Sequence, residues 1–218
     1  MRAGGTHAVT CHGGSMKQQK IIIGICGGVG SGKSTVVDLL EKNYAATVIK
    51  ADEVGHLAFE PGSETYKKII THFGDDILNE TKEIDHGKLA DRVFADSSEK
   101  EFIDSVVHPF ALDYIRERIN VWKKTDGRLF VIETALMFET GCDKLCDEVW
   151  LVTADESVRV ERLKTTRGYS EEKSRSIIAA QMNDEIISSN CKRIIVNNGS
   201  KKELETDIID AVNARCSS

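Results

Sequence analysis

Five short runs of apolar, mostly β-branched residues are spaced along the chain and predict the strands of a sheet. The segments between them place apolar residues at helical spacing, so strands alternate with helices. This alternation is typical of an α/β protein with a mainly parallel sheet and helices on both faces. The predicted strands lie at residues 21–25, 47–49, 129–133, 148–153 and 194–196.

The longest segment between two predicted strands, residues 60–124, has a helical pattern with polar breaks. Its second half predicts two amphipathic helices separated by His108-Pro109, with Pro109 in the first turn of the second helix. About seventy residues is long for a crossover between strands. The length therefore suggests a substrate-binding subdomain inserted into the sheet-forming domain.

Residues 156–167 and 170–188 predict a pair of charged helices broken at Gly168. Basic side chains on such helices are usually solvated, but beside a nucleotide a guanidinium can stabilise the charge that develops in phosphoryl transfer. A hinged helical pair is also a common way to close over a bound nucleotide. The basic residues of this pair are Arg159, Arg162, Lys164, Arg167 and Arg175.

Residues 27–34 match the spacing G-x-x-x-x-G-K-[ST] without a mismatch, directly after the first predicted strand. Such a loop can be a simple glycine-rich turn, but a buried strand before it and an amphipathic segment after it favour a phosphate-binding loop. Its backbone N–H groups and the helix N-terminus would hold phosphate oxygens. Lys33 would reach the β- and γ-phosphates and the Ser34 hydroxyl would bind Mg²⁺. The loop residues predicted to bind the nucleotide are Gly28, Val29, Gly30, Ser31, Gly32, Lys33, Ser34 and Thr35.

Two acidic residues follow the second and third predicted strands, at the sheet edge where α/β proteins bind their ligands. Asp52 follows the second strand, and a functional role and a role as helix N-cap are equally compatible with its spacing. Glu133 ends the third strand, where a Mg²⁺ partner belongs in this class of protein. A structural cap or ion pair is the alternative for Glu133. A guanine-specificity motif N-K-x-D is absent from the sequence, which favours a small-molecule kinase over a GTPase.

Composition narrows the choice of partners. The net charge of −6, without a long block of one sign, argues against non-specific nucleic-acid binding. The six cysteines form no C-x-x-C pair, so we expect thiols in a reducing compartment rather than a metal site or a disulfide framework. No apolar run approaches the ~20 residues that span a bilayer. We therefore expect a cytoplasmic protein without nucleic-acid or membrane partners.

Residues 1–15 lack the apolar segment of a secretory signal. They suggest a disordered extension, or sequence upstream of a later start at Met16. We set the extension at residues 1–18 and one domain at residues 19–214.

The chain also carries motifs that are more specific than the phosphate loop alone. They are residues 27–35, Ala51-Asp52, His56, Pro61-Gly62, Ile69, Phe73-Gly74, Leu89, Val93-Phe94, His108-Pro109, Leu136, Phe138-Glu139, Arg162-Leu163, Arg167, Gln181 and residues 197–200. In these motifs the sequence resembles the dephospho-CoA kinase family, from Ile21 to about Ile209. A nucleoside monophosphate kinase would share the loop without the His-Pro, Leu-x-Phe-Glu and Gln181 positions.

The resemblance implies an ATP-dependent kinase, with Mg²⁺, that phosphorylates the 3′-hydroxyl of dephospho-CoA in the last step of coenzyme A synthesis. It implies that Asp52 orients the attacking hydroxyl, that Arg162 and Arg167 lie near the phosphates, and that the turn from Asn197 to Gly199 borders the adenine. Lys33, Asp52 and Arg167 would be catalytic, and the enzyme is expected to be a monomer. The implied division is a core of residues 19–52, 126–154 and 191–214, a CoA subdomain of residues 53–125, and a lid of residues 155–190.

The chain departs from the family pattern at four positions. Lys50 replaces an aspartate two residues before Asp52, and His86 replaces an arginine of the CoA subdomain. Ala135 replaces a proline, and Glu133 replaces the usual aspartate. Two alternatives therefore stay open: another small-molecule kinase acting on a nucleoside or nucleotide, and a nucleotide-binding regulator without catalysis.

Overall fold

A computed structural model of the protein describes residues 20–181 and 184–216, so the predicted extension at residues 1–18 lies outside the described residues. Its centre is a five-stranded sheet in which every neighbouring pair is parallel. The strand order is β2-β3-β1-β4-β5, which places the strand before the phosphate loop in the middle. The strands are β1 Ile21–Cys26, β2 Thr47–Lys50, β3 Leu129–Glu133, β4 Glu148–Thr153 and β5 Arg193–Val196. All five strand predictions are confirmed to within one residue.

Helices cover both faces of the sheet and form the insertion between β2 and β3. Four of them, α2 to α5, belong to that insertion, and α6 to α8 lie between β4 and β5. The helices are α1 Lys33–Tyr44, α2 Ala51–Leu57, α3 Glu64–Phe73, α4 His86–Ala95, α5 Ser97–Trp122, α6 Glu156–Arg167, α7 Glu171–Ala179, α8 Asp184–Ser188 and α9 Lys201–Cys216. Among the described residues, none of the helices has the length and apolarity needed to cross a bilayer.

Successive residues of β1 point to opposite faces of the sheet and enter two different hydrophobic clusters. Ile23 and Ile25 pack with α1 and α9 on one face. Ile22 and Cys26 pack with the second half of α5 on the other face. Because both faces of β1 are buried, the strand and the loop that follows it are held firmly in the centre of the molecule.

The helical insertion has a hydrophobic cluster of its own. Ile69 and Phe73 of α3 lie at its centre, and Leu89 of α4 packs against them. Phe102 and Val106, in the first half of α5, cover this cluster. Part of the predicted substrate subdomain therefore buries apolar surface independently of the sheet.

The prediction of two helices separated at His108-Pro109 is wrong, because α5 runs without interruption from Ser97 to Trp122 with Pro109 inside it. An internal proline costs about 3 kcal/mol through a lost hydrogen bond and a steric clash. Burial at both ends of α5 offsets this cost. The first half packs on the cluster of the insertion, and Ile115 and Trp122 of the second half pack on the sheet.

The predicted break between the two charged helices is confirmed at Gly168, which ends α6 with a left-handed backbone at φ 65°. The prediction of a single helix over residues 170–188 is wrong. That segment is divided into α7, which ends at Ala179, and the short α8, which begins at Asp184. Arg175 of α7 binds Glu156 of α6, so the two helices are joined by an ion pair as well as by the turn.

Candidate active site

The phosphate loop occupies residues 27–32, between the end of β1 and the start of α1. Gly32 is the N-cap of α1 and has a left-handed backbone at φ 95°, a conformation that favours glycine. A Cβ at Gly32 would also collide with the side-chain amide of Asn197. The sequence therefore needs glycine here both for backbone conformation and for the close approach of the segment after β5.

Lys33, the first residue of α1, turns its side chain back over the loop. Its ammonium group donates to the carbonyl oxygens of Gly27 at 2.8 Å and Gly28 at 3.4 Å. Burial lowers the pKa of Lys33, and the nearby carboxylates of Glu133 and Asp52 oppose that shift. The lysine thus lies between the loop and both acidic residues that the sequence singles out.

Ser34 and Glu133, the two predicted metal partners, lie together. The Ser34 hydroxyl donates to Glu133 Oε1 at 3.3 Å, across the junction of α1 and β3. The other carboxylate oxygen, Oε2, is buried and accepts no hydrogen bond from the described residues. Burial raises the pKa of Glu133, while the charge of Lys33 and the Ser34 hydrogen bond oppose the rise. An oxygen of this kind fits a role as ligand to a cation or to its bound water.

Asp52 lies in the first turn of α2, beside the phosphate loop. The interpretation of Asp52 as the helix N-cap is wrong, since Lys50 occupies that position and makes no side-chain capping bond. The Asp52 side chain is exposed and accepts a hydrogen bond from Thr134 Oγ1 at 3.1 Å. Thr134, the residue after β3, was not predicted as a site residue, although its position at a strand end was the available signal.

Arg159 and Gln181 hold the tip of the phosphate loop. Val29 N–H donates to Gln181 Oε1 at 2.8 Å, and Arg159 Nε donates to the Val29 carbonyl at 2.8 Å. Arg159 Nη2 also donates to Gln181 Oε1 at 2.9 Å. Arg159 is only 7% exposed. It was not predicted as a site residue, and the available signal was its position one helical turn before Arg162.

Arg162 braces the other side of the loop. Its Nη1 donates to the carbonyls of Gly30 at 3.3 Å and Ser31 at 3.1 Å, and its Nη2 donates to the carbonyl of Asn197 at 2.9 Å. Asn197 Nδ2 donates to Ser31 O at 2.8 Å, and Asn197 is 5% exposed. The predicted nucleotide-binding residues Arg162 and Asn197 therefore hold the loop in place, Arg162 from α6 and Asn197 from the segment after β5.

A cleft of about 770 Å³ runs along the phosphate loop between α2 and α6. Of the predicted site residues, Gly28, Ser31 and Glu133 do not line it. Gly28 lies against Arg159 and Gln181, and Ser31 is fully buried. The predicted residues that do line the cleft are Val29, Gly30, Gly32, Lys33, Ser34, Thr35, Asp52, Arg162, Arg167, Asn197 and Gly199.

Of the four departures from the family pattern, Ala135 lines this cleft, whereas Lys50, His86 and Glu133 do not. Lys50 forms an exposed ion pair with Glu53 at 3.1 Å. Through the pairing of β2 with β3, Lys50 is the register partner of Glu133. The ring of His86, at the start of α4, makes an edge contact with Phe59 at 5.5 Å between centroids. Lys50 thus adds a positive charge beside Glu133 without entering the cleft lining.

The fold and the site define a P-loop phosphotransferase. The phosphate loop follows the central parallel strand, and arginines of α6 lie over that loop. Comparison with known proteins narrows this class. Residues 21–203 match the sequence model of the dephospho-CoA kinase family. The chain is 35% identical over 187 residues to dephospho-CoA kinase of Geobacter sulfurreducens, which covers 86% of this chain and 94% of that protein.

Solved structures give the same result for the fold. One from Thermus thermophilus is 30% identical, has a TM-score of 0.75 and covers 90% of this chain and 98% of its own. Dephospho-CoA kinase from Campylobacter jejuni has a TM-score of 0.67 at 22% identity, covers 89% of this chain and 96% of its own, and shows the shared fold.

The chain belongs to the dephospho-CoA kinase family. It is a kinase that phosphorylates dephospho-CoA in coenzyme A biosynthesis, with ATP as the phosphoryl donor. Family membership favours this activity over both alternatives left open by the sequence, a nucleoside kinase and a regulator without catalysis.

Proposed function

We propose that ATP lies along the phosphate loop and that Asp52 orients the 3′-hydroxyl of dephospho-CoA for in-line attack on the γ-phosphate. The single observation that supports this best is the position of Asp52. Its carboxylate lines the same cleft as Lys33, is exposed to an incoming substrate and is oriented by the Thr134 hydroxyl at 3.1 Å. In phosphoryl transfer, positioning and electrostatic stabilisation supply most of the rate.

Lys33 and the loop N–H groups would neutralise the phosphates. The Lys33 ammonium now donates to the carbonyls of Gly27 and Gly28, which are neutral acceptors. Charge-assisted hydrogen bonds to phosphate are stronger than these, so the side chain would move from the carbonyls to the β- and γ-phosphates. Partial burial, which lowers the pKa of Lys33, would strengthen that interaction because the site is poorly solvated.

Ser34 and Glu133 fit a Mg²⁺ site. Both supply oxygen, the ligand type that Mg²⁺ prefers, and the orphaned buried oxygen of Glu133 would gain a partner. Bound Mg²⁺ would shield the phosphate charges and hold them in one orientation. Within the described residues no cluster of three or more His, Cys, Asp or Glu side chains could hold a metal, so the nucleotide and water would supply the remaining ligands.

The helices α6 to α8, residues 155–190, would act as the lid. Arg167 lines the cleft at the C-terminal end of α6 and would contact the transferring phosphoryl group, while Arg162 would stay on the loop carbonyls. The turn that contains Asn197 and Gly199 would border the adenine. Residues 53–125, with their own hydrophobic cluster, would bind dephospho-CoA.

All residues used in this proposal come from one chain, so the enzyme would work as a monomer. Cys26, Cys142, Cys146 and Cys191 form no disulfide, and thiols are kept reduced in the cytoplasm. We propose this location and no nucleic-acid or membrane partner.

The experiment compares Asp52→Asn with Glu53→Gln. Both changes remove one carboxylate from the first turn of α2, but Glu53 pairs with Lys50 and does not line the nucleotide cleft. We expect Asp52→Asn to lower kcat by about 10²–10⁴-fold, the range for a lost proton-transfer group, with ATP affinity unchanged. Glu53→Gln should stay near wild type. Near-normal turnover in Asp52→Asn would remove Asp52 from the mechanism.

A further inference from the structure

Two cysteine thiols that are far apart in sequence meet beside the phosphate loop. Cys26 is the last residue of β1, and Cys191 lies in the turn between α8 and β5. Their sulfur atoms are 3.8 Å apart. Cys26 therefore precedes Gly27 directly, while Cys191 lies where the chain returns from the lid to the sheet.

The chain offers a second cysteine pair for comparison. Burial raises the pKa of Cys142 and raises that of Cys146 to about 12, which keeps both as unreactive thiols. By contrast, the hydrogen bond with Cys26 lowers the pKa of Cys191, which is only partly buried. Cys191 is therefore better suited than Cys142 or Cys146 to react as a thiolate.

We propose that Cys26 and Cys191 form a reversible disulfide when the enzyme meets a peroxide. The Cys191 thiolate attacks one peroxide oxygen, the O–O bond breaks, and the departing hydroxide takes a proton to become water. Cys191 is then a sulfenic acid. Cys26 attacks that sulfur as the thiolate, and the sulfenic oxygen leaves with two protons as a second water. Two thiols are oxidised to one disulfide and the peroxide is reduced to two water molecules.

The geometry requires only a small movement. A disulfide bond is ~2.05 Å long, so the two sulfur atoms must approach by roughly 1.8 Å. Cys26 is held in the central strand and is 1% exposed. Cys191 precedes β5 in a turn, where rotation of its side chain and a shift of the turn can close the gap. The reaction would thus leave β1 in place.

The disulfide would tie the residue before the phosphate loop to the C-terminal end of the lid. Closure and opening of the proposed lid would move this end relative to the loop, so the covalent link should slow turnover. This consequence rests on the proposed lid function, whereas the formation of the disulfide does not.

The first test uses the full chain treated with hydrogen peroxide and mapped by mass spectrometry without reduction. We expect a cross-linked peptide joining Cys26 to Cys191, which disappears with dithiothreitol. The double variant Cys142→Ser with Cys146→Ser should still give it, and Cys191→Ser should not. Recovery of both thiols reduced, or of either one paired with another cysteine, would overturn the proposal.

The second test measures ADP release with ATP and dephospho-CoA. We expect peroxide to lower turnover of the wild type several-fold, dithiothreitol to restore it, and Cys191→Ser to keep its activity in peroxide. A mapped disulfide with unchanged turnover would disprove the regulatory role. Absence of ADP release before any peroxide is added would count against the proposed active site and not against the disulfide, which the mapping reads independently.

Discussion

Replacing Arg162 by methionine should destabilise the whole protein, because this arginine joins α6 to the phosphate loop and to the segment after β5. Its guanidinium donates to the Gly30, Ser31 and Asn197 carbonyls and to Asn197 Oδ1. Methionine keeps much of the hydrocarbon volume but provides no donor. The change therefore isolates the hydrogen bonds from the packing of the side chain.

The expected loss is about 3 kcal/mol. Two of the four hydrogen bonds are short, at 2.9 and 3.1 Å. Hydrogen bonds from a charged group contribute ~1.5–3 kcal/mol each. If each of the two short bonds contributes at the lower end of this range, their loss accounts for the expected change. Urea unfolding followed by tryptophan fluorescence measures the change, because Trp122 and Trp150 are both buried in the folded protein.

Arg175→Met is the matched control on the neighbouring helix. Arg175 also makes several bonds, to Glu156 and Glu171, but all three side chains are more than half exposed. Exposed ion pairs contribute about 0–1 kcal/mol, so this variant should unfold close to the wild type. If Arg162→Met lost less than about 0.5 kcal/mol, or if the control lost as much, the bracing role of Arg162 would be wrong.

Three further changes test separate parts of the site and fold. Burial raises the pKa of Glu133 in the folded protein above its value in the unfolded chain. The contribution of this carboxyl group to the stability of the protein is therefore fully present below the unfolded pKa, and it is lost as pH rises through the folded pKa. Melting temperatures should therefore fall from acidic to neutral pH in the wild type relative to Glu133→Gln; parallel curves would contradict the shift. Arg167→Ala should reduce kcat by about 10³-fold in steady-state assays, with Lys164→Ala near wild type; equal effects would refute the lid role of Arg167. Pro109→Ala should raise the free energy of unfolding by about 3 kcal/mol, since it restores an N–H donor inside α5 and removes the clash of the proline ring; a loss in urea unfolding would refute the proposed cost.

Local sequence patterns predicted the parts of the fold that depend on neighbouring residues. The five strands and the phosphate loop follow from buried β-branched runs and glycine spacing, both of which act over a few residues. The continuity of α5 through Pro109 could not be predicted in this way. It depends on burial against two different clusters, which only the folded chain brings next to each helix half.

The same limit applies to the site. Lys33, Ser34 and Asp52 were predicted because each follows a strand or loop with a recognisable pattern, and all three line the cleft. Arg159 and Gln181 were not predicted as site residues, because their contacts with Val29 span 130 and 152 residues of sequence. A contact between residues so far apart in the sequence produces no periodic pattern in either segment.

The most direct test of the central claim is the reaction of the purified protein with ATP and dephospho-CoA. We predict that ADP and coenzyme A form in equal amounts, that the new phosphate is on the ribose 3′-hydroxyl, and that Asp52→Asn largely abolishes both products. Phosphorylation of a nucleoside or nucleotide in preference to dephospho-CoA would contradict the account, as would ATP binding without transfer to any acceptor.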